Sequence, residues 1–193
     1  MRRFYLRIPV DIPEFIYRLA VRPVLIYRKI RYGYSFRRIS LTKGNFAIVD
    51  EQDFDHLCQY NWHANKAKLT FYAARHVRRI GKPALVFMHR SIMNCPDDKC
   101  IDHINHNGLD NRRTNLREVS KEQNSWNRRK PRGQCTSQYK GVYHRYGKWS
   151  SAIKCKGKLI FIGWFEDEVS AAKAYDEKAK ELFGQYACLN FPT

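Results

Sequence analysis

From Ile39 onward the apolar positions fall into short alternating runs separated by turn residues. Residues 39–50 (ISLTKGNFAIVD) predict a strand, a turn at Lys43-Gly44-Asn45 and a second strand. Residues 53–60 predict a short helix with Phe54, Leu57 and Cys58 on one face. Residues 69–77 and 84–89 predict two further strands around a Gly81-Lys82-Pro83 turn. Ser120 and Gln123 form a capping box, so a helix is expected from about Lys121. The stretch ahead of it is rich in Gly, Asn and Asp and reads as a loop. Three more strands are predicted at 139–143, 148–154 and 158–165, with turns at Tyr146-Gly147 and Lys156-Gly157. Residues 169–183 place Val169, Ala172, Tyr175, Ala179 and Leu182 on one helical face, with Gly184 as the stop. The fold class is α+β. The expected organisation is an arm (1–38), a small α+β unit (39–130), a polar Pro- and Gly-bearing linker (131–136), and a second unit (137–193) of three antiparallel strands packed on one helix.

Length and composition narrow the class. A chain of 193 residues holds one full domain or two small ones. At 44% hydrophobic and 14% aromatic residues it can bury a core. No stretch approaches the roughly 20 apolar residues that cross a bilayer; the most apolar early segment, 21–27, is broken by Arg22 and Pro23. The first residues lack the apolar region of a secretory signal, so a cytoplasmic location is expected. Pro9, Pro13 and Pro23 argue against a membrane-surface helix. The cysteines at 58, 95, 100, 135, 155 and 188 are then expected to be reduced thiols. Cys95 and Cys100 have no second pair at matching spacing, which leaves structural zinc the weaker reading.

Charge points to a partner. Lys and Arg number 36 against 18 Asp and Glu, a net charge of +18. The arm carries +8, residues 39–130 carry +6 and residues 131–193 carry +4, so every segment is basic. Such an excess favours a polyanion, nucleic acid or an anionic membrane surface. In the arm, Arg and aromatic residues interleave (YRKIRYGYSFRR, 27–38). Two readings stand equal: cations and rings that meet a nucleic acid, or an extension that folds back on the core.

The chemistry concentrates in residues 102–127, DHINHNGLDNRRTNLREVSKEQNSWN. A carboxylate and an amide oxygen suit a hard cation such as Mg2+. A His beside that carboxylate can act as general base on water. Arg112, Arg113, Arg117, Arg128 and Arg129 lie close by in sequence and could hold a phosphate backbone. Metal-assisted phosphodiester hydrolysis uses all three. Taken singly, each Asn or Asp is an ordinary turn residue; as a set they point to a site.

This stretch resembles the HNH endonucleases, in particular the intron-encoded phage nicking enzymes. The resemblance rests on Met88-His89-Arg90, Asp102-His103, Asn115-Leu116-Arg117 and Asn124. It implies a ββα-metal (His-Me finger) unit with one Mg2+ or a similar cation such as Mn2+. Asp102 and Asn124 would be the metal ligands, His103 the general base, and Asn115 a brace for the loop. His89 would lie on a strand in a packing or hydrogen-bonding role, and His106 is expected as a solvated loop residue.

In the last unit the charges segregate. Residues 137–165 hold six Lys or Arg and no acid, while residues 166–183 hold six acids and three Lys. A basic sheet backed by an acidic helix can lie in a major groove. The unit resembles the Apetala2/ethylene-response-factor DNA-binding domain through Tyr139-Lys140-Gly141-Val142, Gly147-Lys148-Trp149, Gly163-Trp164-Phe165, residues 171–176 (AAKAYD) and residues 189–192 (LNFP). Leu159 and Phe161 stand where plant members carry Arg and Trp, so their target sequence does not transfer. The expected DNA contacts here are Lys140, Tyr143, Arg145, Lys148, Trp149, Lys154 and Lys156. Together the two resemblances imply a homing or mobile-element endonuclease acting on double-stranded DNA, with no membrane or protein partner. The alternatives are a regulatory DNA-binding protein with a silent nuclease site, or an RNA-binding protein, which the groove-reading sheet disfavours.

Overall fold

The computed structural model describes residues 13–78, 83–130, 133 and 135–192. The first twelve residues of the arm, part of the Gly81-Lys82-Pro83 turn and much of the expected linker lie outside the described residues. The chain is mixed α+β with small sheets and divides into two compact units. The first comprises residues 1–95 and 103–117, the second 96–102 and 118–193.

In the first unit, α1 (Glu14–Ala20) and α2 (Arg22–Tyr32) precede β1 (Arg37–Ser40) and β2 (Phe46–Val49). Pro13 and Pro23 do not keep Glu14–Ala20 and Arg22–Tyr32 from being helical. Pro23 sits in the first turn of α2, where its missing N–H costs nothing, and Gly33 closes the helix at φ 81°. Part of the Arg and aromatic interleaving is used internally: Phe36 is buried, Arg28 donates to its carbonyl, and the Arg37 and Arg38 guanidiniums lie 3.7 Å and 4.2 Å over Phe54 and Phe46.

Helix α3 (Glu51–Cys58) then leads to β3 (His63–Lys66), β4 (Phe71–Val77) and β5 (Ala84–Phe87), an antiparallel sheet. β3 was not foreseen because its run HANK lacks alternation. Helix α4 (Met88–Met93) follows directly, so Met88-His89-Arg90 is helical rather than strand. The chain turns helical once Phe87 has paired with Ala74, and Met88, His89 and Ile92 become the buried face.

β6 (Cys100–His103) pairs with β7 (Leu116–Val119), and α5 (Lys121–Trp126) opens on the expected capping box of Ser120 with Gln123.

In the second unit, β8 (Val142–Arg145), β9 (Lys148–Cys155) and β10 (Lys158–Phe165) form an antiparallel sheet in the order β10-β9-β8. Both connections are two-residue turns with positive φ at each central position, Tyr146-Gly147 and Lys156-Gly157. Helix α6 (Glu168–Phe183) is capped by Asp167 and covers one face of the sheet. Ile153, Tyr175, Ala179 and Phe183 form one core cluster, and Val142, Ala171 and Ala172 another. Trp126, from the end of α5, joins the first cluster and stacks on Phe183 at 4.6 Å and 13°.

Among the described residues no helix is long and apolar enough to cross a membrane. No two of the six cysteines are bridged, and no group of three or more His, Cys, Asp or Glu is placed to hold a metal among those residues.

Candidate functional site

Asp102 and His103 are consecutive residues at the end of β6, 7% and 5% exposed. Their surroundings are described unit by unit.

In the first unit, His103 is enclosed by rings. Tyr72 lies 5.6 Å and His89 5.1 Å from it, centroid to centroid. Nε2 of His103 faces Asn111 Oδ1 at 3.4 Å, a long contact. Two polar atoms beside it, Nδ2 of Asn111 and Nδ1 of His89, are buried without a hydrogen-bond partner among the described residues. Orphaned buried groups cost about 1–3 kcal/mol each, and native proteins keep few of them. Burial, reinforced by the charges of His103 and Arg90, pushes the His89 imidazole down to about 3.

That depression has a sign. Unfolded His89 binds its proton near pH 6.5 and the folded form does not until about pH 3. Its contribution is therefore present above pH 6.5 and is lost as the pH falls toward 3, by about 2 kcal/mol at pH 5. A His89→Gln variant is expected to lose several degrees less melting temperature than wild type between pH 7 and pH 5, measured by circular dichroism.

The loop after His103 is knitted by its own amides. Asn115 accepts from the Asn105 backbone N–H at 2.9 Å and donates to the Asp110 carbonyl at 2.8 Å, tying the loop's two ends together. Asn105 donates to Asp110 at 2.7 Å, and Asn111 N–H and Leu109 carbonyl dock on Ile48 of β2.

Here sequence adjacency misled. Arg112 grips Asp110 through two hydrogen bonds of 2.8 Å and 2.7 Å, and its guanidinium lies 3.3 Å over Tyr34. Arg113 is paired with Asp53 and also reaches the Ile92 carbonyl. Both are expected on phosphates; in the structure their guanidiniums hold the loop to the arm and to α3. Arg117 is half-buried on β7.

In the second unit, the Asp102 carboxylate accepts from Nδ2 of Asn127 at both oxygens, 2.9 Å and 2.8 Å. Asn127 is buried and caps the C-terminal end of α5. It was missed because a lone Asn after a short helix reads as a cap. Asn124 lies in α5, half-buried, and its side-chain amide makes no hydrogen bond among the described residues. Carboxylate and carboxamide oxygens are the hard donors that a divalent cation prefers.

Arg128 and Arg129 are exposed just beyond α5. Lys140 is not on the sheet face. Its Nζ donates to the Trp126 carbonyl at 2.7 Å and lies 6.0 Å over Tyr175, and burial lowers its pKa. Pairing register also removes Trp149 from the open face: it neighbours His144 and packs on the helix side against Val142, Ala171 and Ala172. Tyr143, Arg145, Lys148 and Lys154 remain on the open face, and Lys156 is exposed in the turn after β9.

Residues 94–126 match the HNH endonuclease family. An uncharacterised HNH endonuclease of Acanthamoeba polyphaga mimivirus is 30% identical over 162 residues, 80% of each chain. An AP2-like ethylene-responsive transcription factor of Arabidopsis thaliana is 44% identical over 66 residues, 33% of this chain and 13% of that protein. Dehydration-responsive element-binding protein 2C of Arabidopsis thaliana is 44% identical over 57 residues, 28% of this chain and 17% of that protein. No solved structure matches.

Proposed function

We propose, from the premise that the chain belongs to the HNH endonuclease family, that it hydrolyses phosphodiester bonds of double-stranded DNA with a divalent cation. The observation that carries this reading is the buried Asp102-His103 pair, with the carboxylate pinned by Asn127 and the imidazole boxed by Tyr72 and His89. β6, β7 and α5 follow one another in the order of a ββα-metal unit. The likeness to plant AP2-type proteins supports a C-terminal DNA reader. The joining of nuclease and reader supports a homing or mobile-element enzyme.

Asp102 and Asn124 would hold Mg2+ or Mn2+. When bound, the cation supplies charge stabilisation for the leaving oxyanion. Asn127 keeps the Asp102 carboxylate in one orientation. His103 takes the proton of the attacking water at an imidazole nitrogen, and the neighbouring rings hold that imidazole in one plane. Asn115 keeps the loop closed behind it. The products are a 3′-hydroxyl and a 5′-phosphate. Arg117, Arg128 and Arg129 would meet the phosphate backbone, while Tyr143, Arg145, Lys148, Lys154 and Lys156 would serve the reader.

The test uses supercoiled plasmid carrying a duplex selected by binding. Nicked circles are expected in Mg2+ and none in EDTA, with gel-shift retention in both. Retention with no conversion in either Mg2+ or Mn2+ would leave a regulatory DNA-binding protein as the better account.

A further inference from the structure

The open face of the β8–β10 sheet is only partly polar. Register places Tyr143 and Arg145 on it from β8, Lys148, Ser150, Ala152 and Lys154 from β9, and Leu159, Phe161 and Trp164 from β10. A bulge between Phe161 and Gly163 keeps Trp164 on that side, opposite Ser150. Leu159 is 70% exposed, Phe161 56% and Trp164 48%. Phe161 and Trp164 touch at 5.7 Å between centroids, making a continuous apolar stripe along the edge strand. The cations lie on the other two strands, Lys154 directly opposite Leu159.

Two facts decide what fits this face. No acidic residue lies on β8, β9 or β10, so the partner is anionic. Leu159 and Phe161 can neither donate nor accept a hydrogen bond. Base edges in the major groove offer donors, acceptors and one apolar group, the C5-methyl of thymine. Against cytosine or guanine these side chains would leave an N–H or a carbonyl without water or partner. Only thymine offers them a surface of their own kind.

We infer that Leu159 and Phe161 read thymine C5-methyl groups in the major groove, beside backbone and base contacts made by Arg145, Lys148 and Lys154. This rests on the reader function proposed above and sets its specificity.

The test selects bound duplexes from a random library with the full chain in EDTA. The best duplex is then remade with uracil for thymine, position by position, which removes only the methyl. Thymine is expected at the selected positions, with affinity falling about four-fold for each contacted methyl removed. Leu159→Ala and Phe161→Ala, both at exposed positions, should bring the thymine-to-uracil ratio toward one. Equal binding of thymine and uracil duplexes overturns the inference and leaves the DNA reader standing; a face used by a protein partner would give that result. Retention of no duplex at all overturns the reader and this inference together.

Discussion

Replacing His103 by Ala is expected to slow plasmid cleavage about a thousand-fold, the usual worth of a positioned general base, with gel-shift affinity unchanged. The change removes a side chain enclosed by Tyr72 and His89, so it also opens a small void. His103→Gln fills most of that volume without supplying a base of comparable pKa. If Gln cleaves as poorly as Ala and melts like wild type, the loss is chemical. Added metal separates this residue from its neighbour. Asp102→Ala should recover part of its activity as Mg2+ or Mn2+ is raised, because a weakened ligand set is refilled by mass action. His103→Ala should stay flat across the same titration. A variant pair that responds alike to metal would remove the division of labour between the two residues.

The second large effect lies far from that pair in sequence. Gly141 has φ +74°, and a Cβ placed there would sit 2.0 Å from the Tyr175 ring and 2.8 Å from the Ala152 carbonyl. Neither neighbour can give way easily. Tyr175 is 3% exposed in the core of the sheet and helix, and Ala152 is backbone within β9. Gly141→Ala therefore combines a left-handed backbone with overpacking, together roughly 3–5 kcal/mol. The melting temperature should fall by about 10 °C or more. Tyr175→Ala combined with Gly141→Ala should cost less than the sum of the two, since the clash they share is then gone. Strict additivity would mean that the ring is not what excludes the methyl group.

Much of this was readable from residue order. The capping box at Ser120 and Gln123, the β1–β2 pair and the last two strands of the C-terminal sheet declare themselves through local pattern, whereas its first strand is Val142–Arg145 rather than 139–143. Local pattern failed where a distant partner decides. Arg22–Tyr32 can be helical because Pro23 falls in its first turn, which spacing alone does not reveal. Met88-His89-Arg90 turn helical after a strand of only four residues. The contacts of Arg112 with Asp110 and Tyr34 are likewise invisible in residue order. That Trp149 packs on the helix side of the sheet follows from the pairing register, which residue order does not show. In the site, the residue types were legible but the hydrogen bonds of Asn127 were not, because 25 residues separate it from Asp102.

The stacking of Trp126 on Phe183 bears on how such proteins can be recombined. Asp102, α5 and the three-stranded sheet belong to one compact unit, joined also by Lys140 to the Trp126 carbonyl and by Lys130 to the Ser137 and Tyr139 carbonyls. Under the proposed ligand set, the cation and the groove-reading surface are then carried on the same compact unit. The protein would work as a ruler, with the number of base pairs between recognised sequence and bound cation written into the α5–α6 packing. Inserting or deleting residues within 131–136 would not lengthen that ruler. A reader grafted from another protein at residue 131 would lose its seat for Trp126, and with it the calibration, even if it bound its own sequence well.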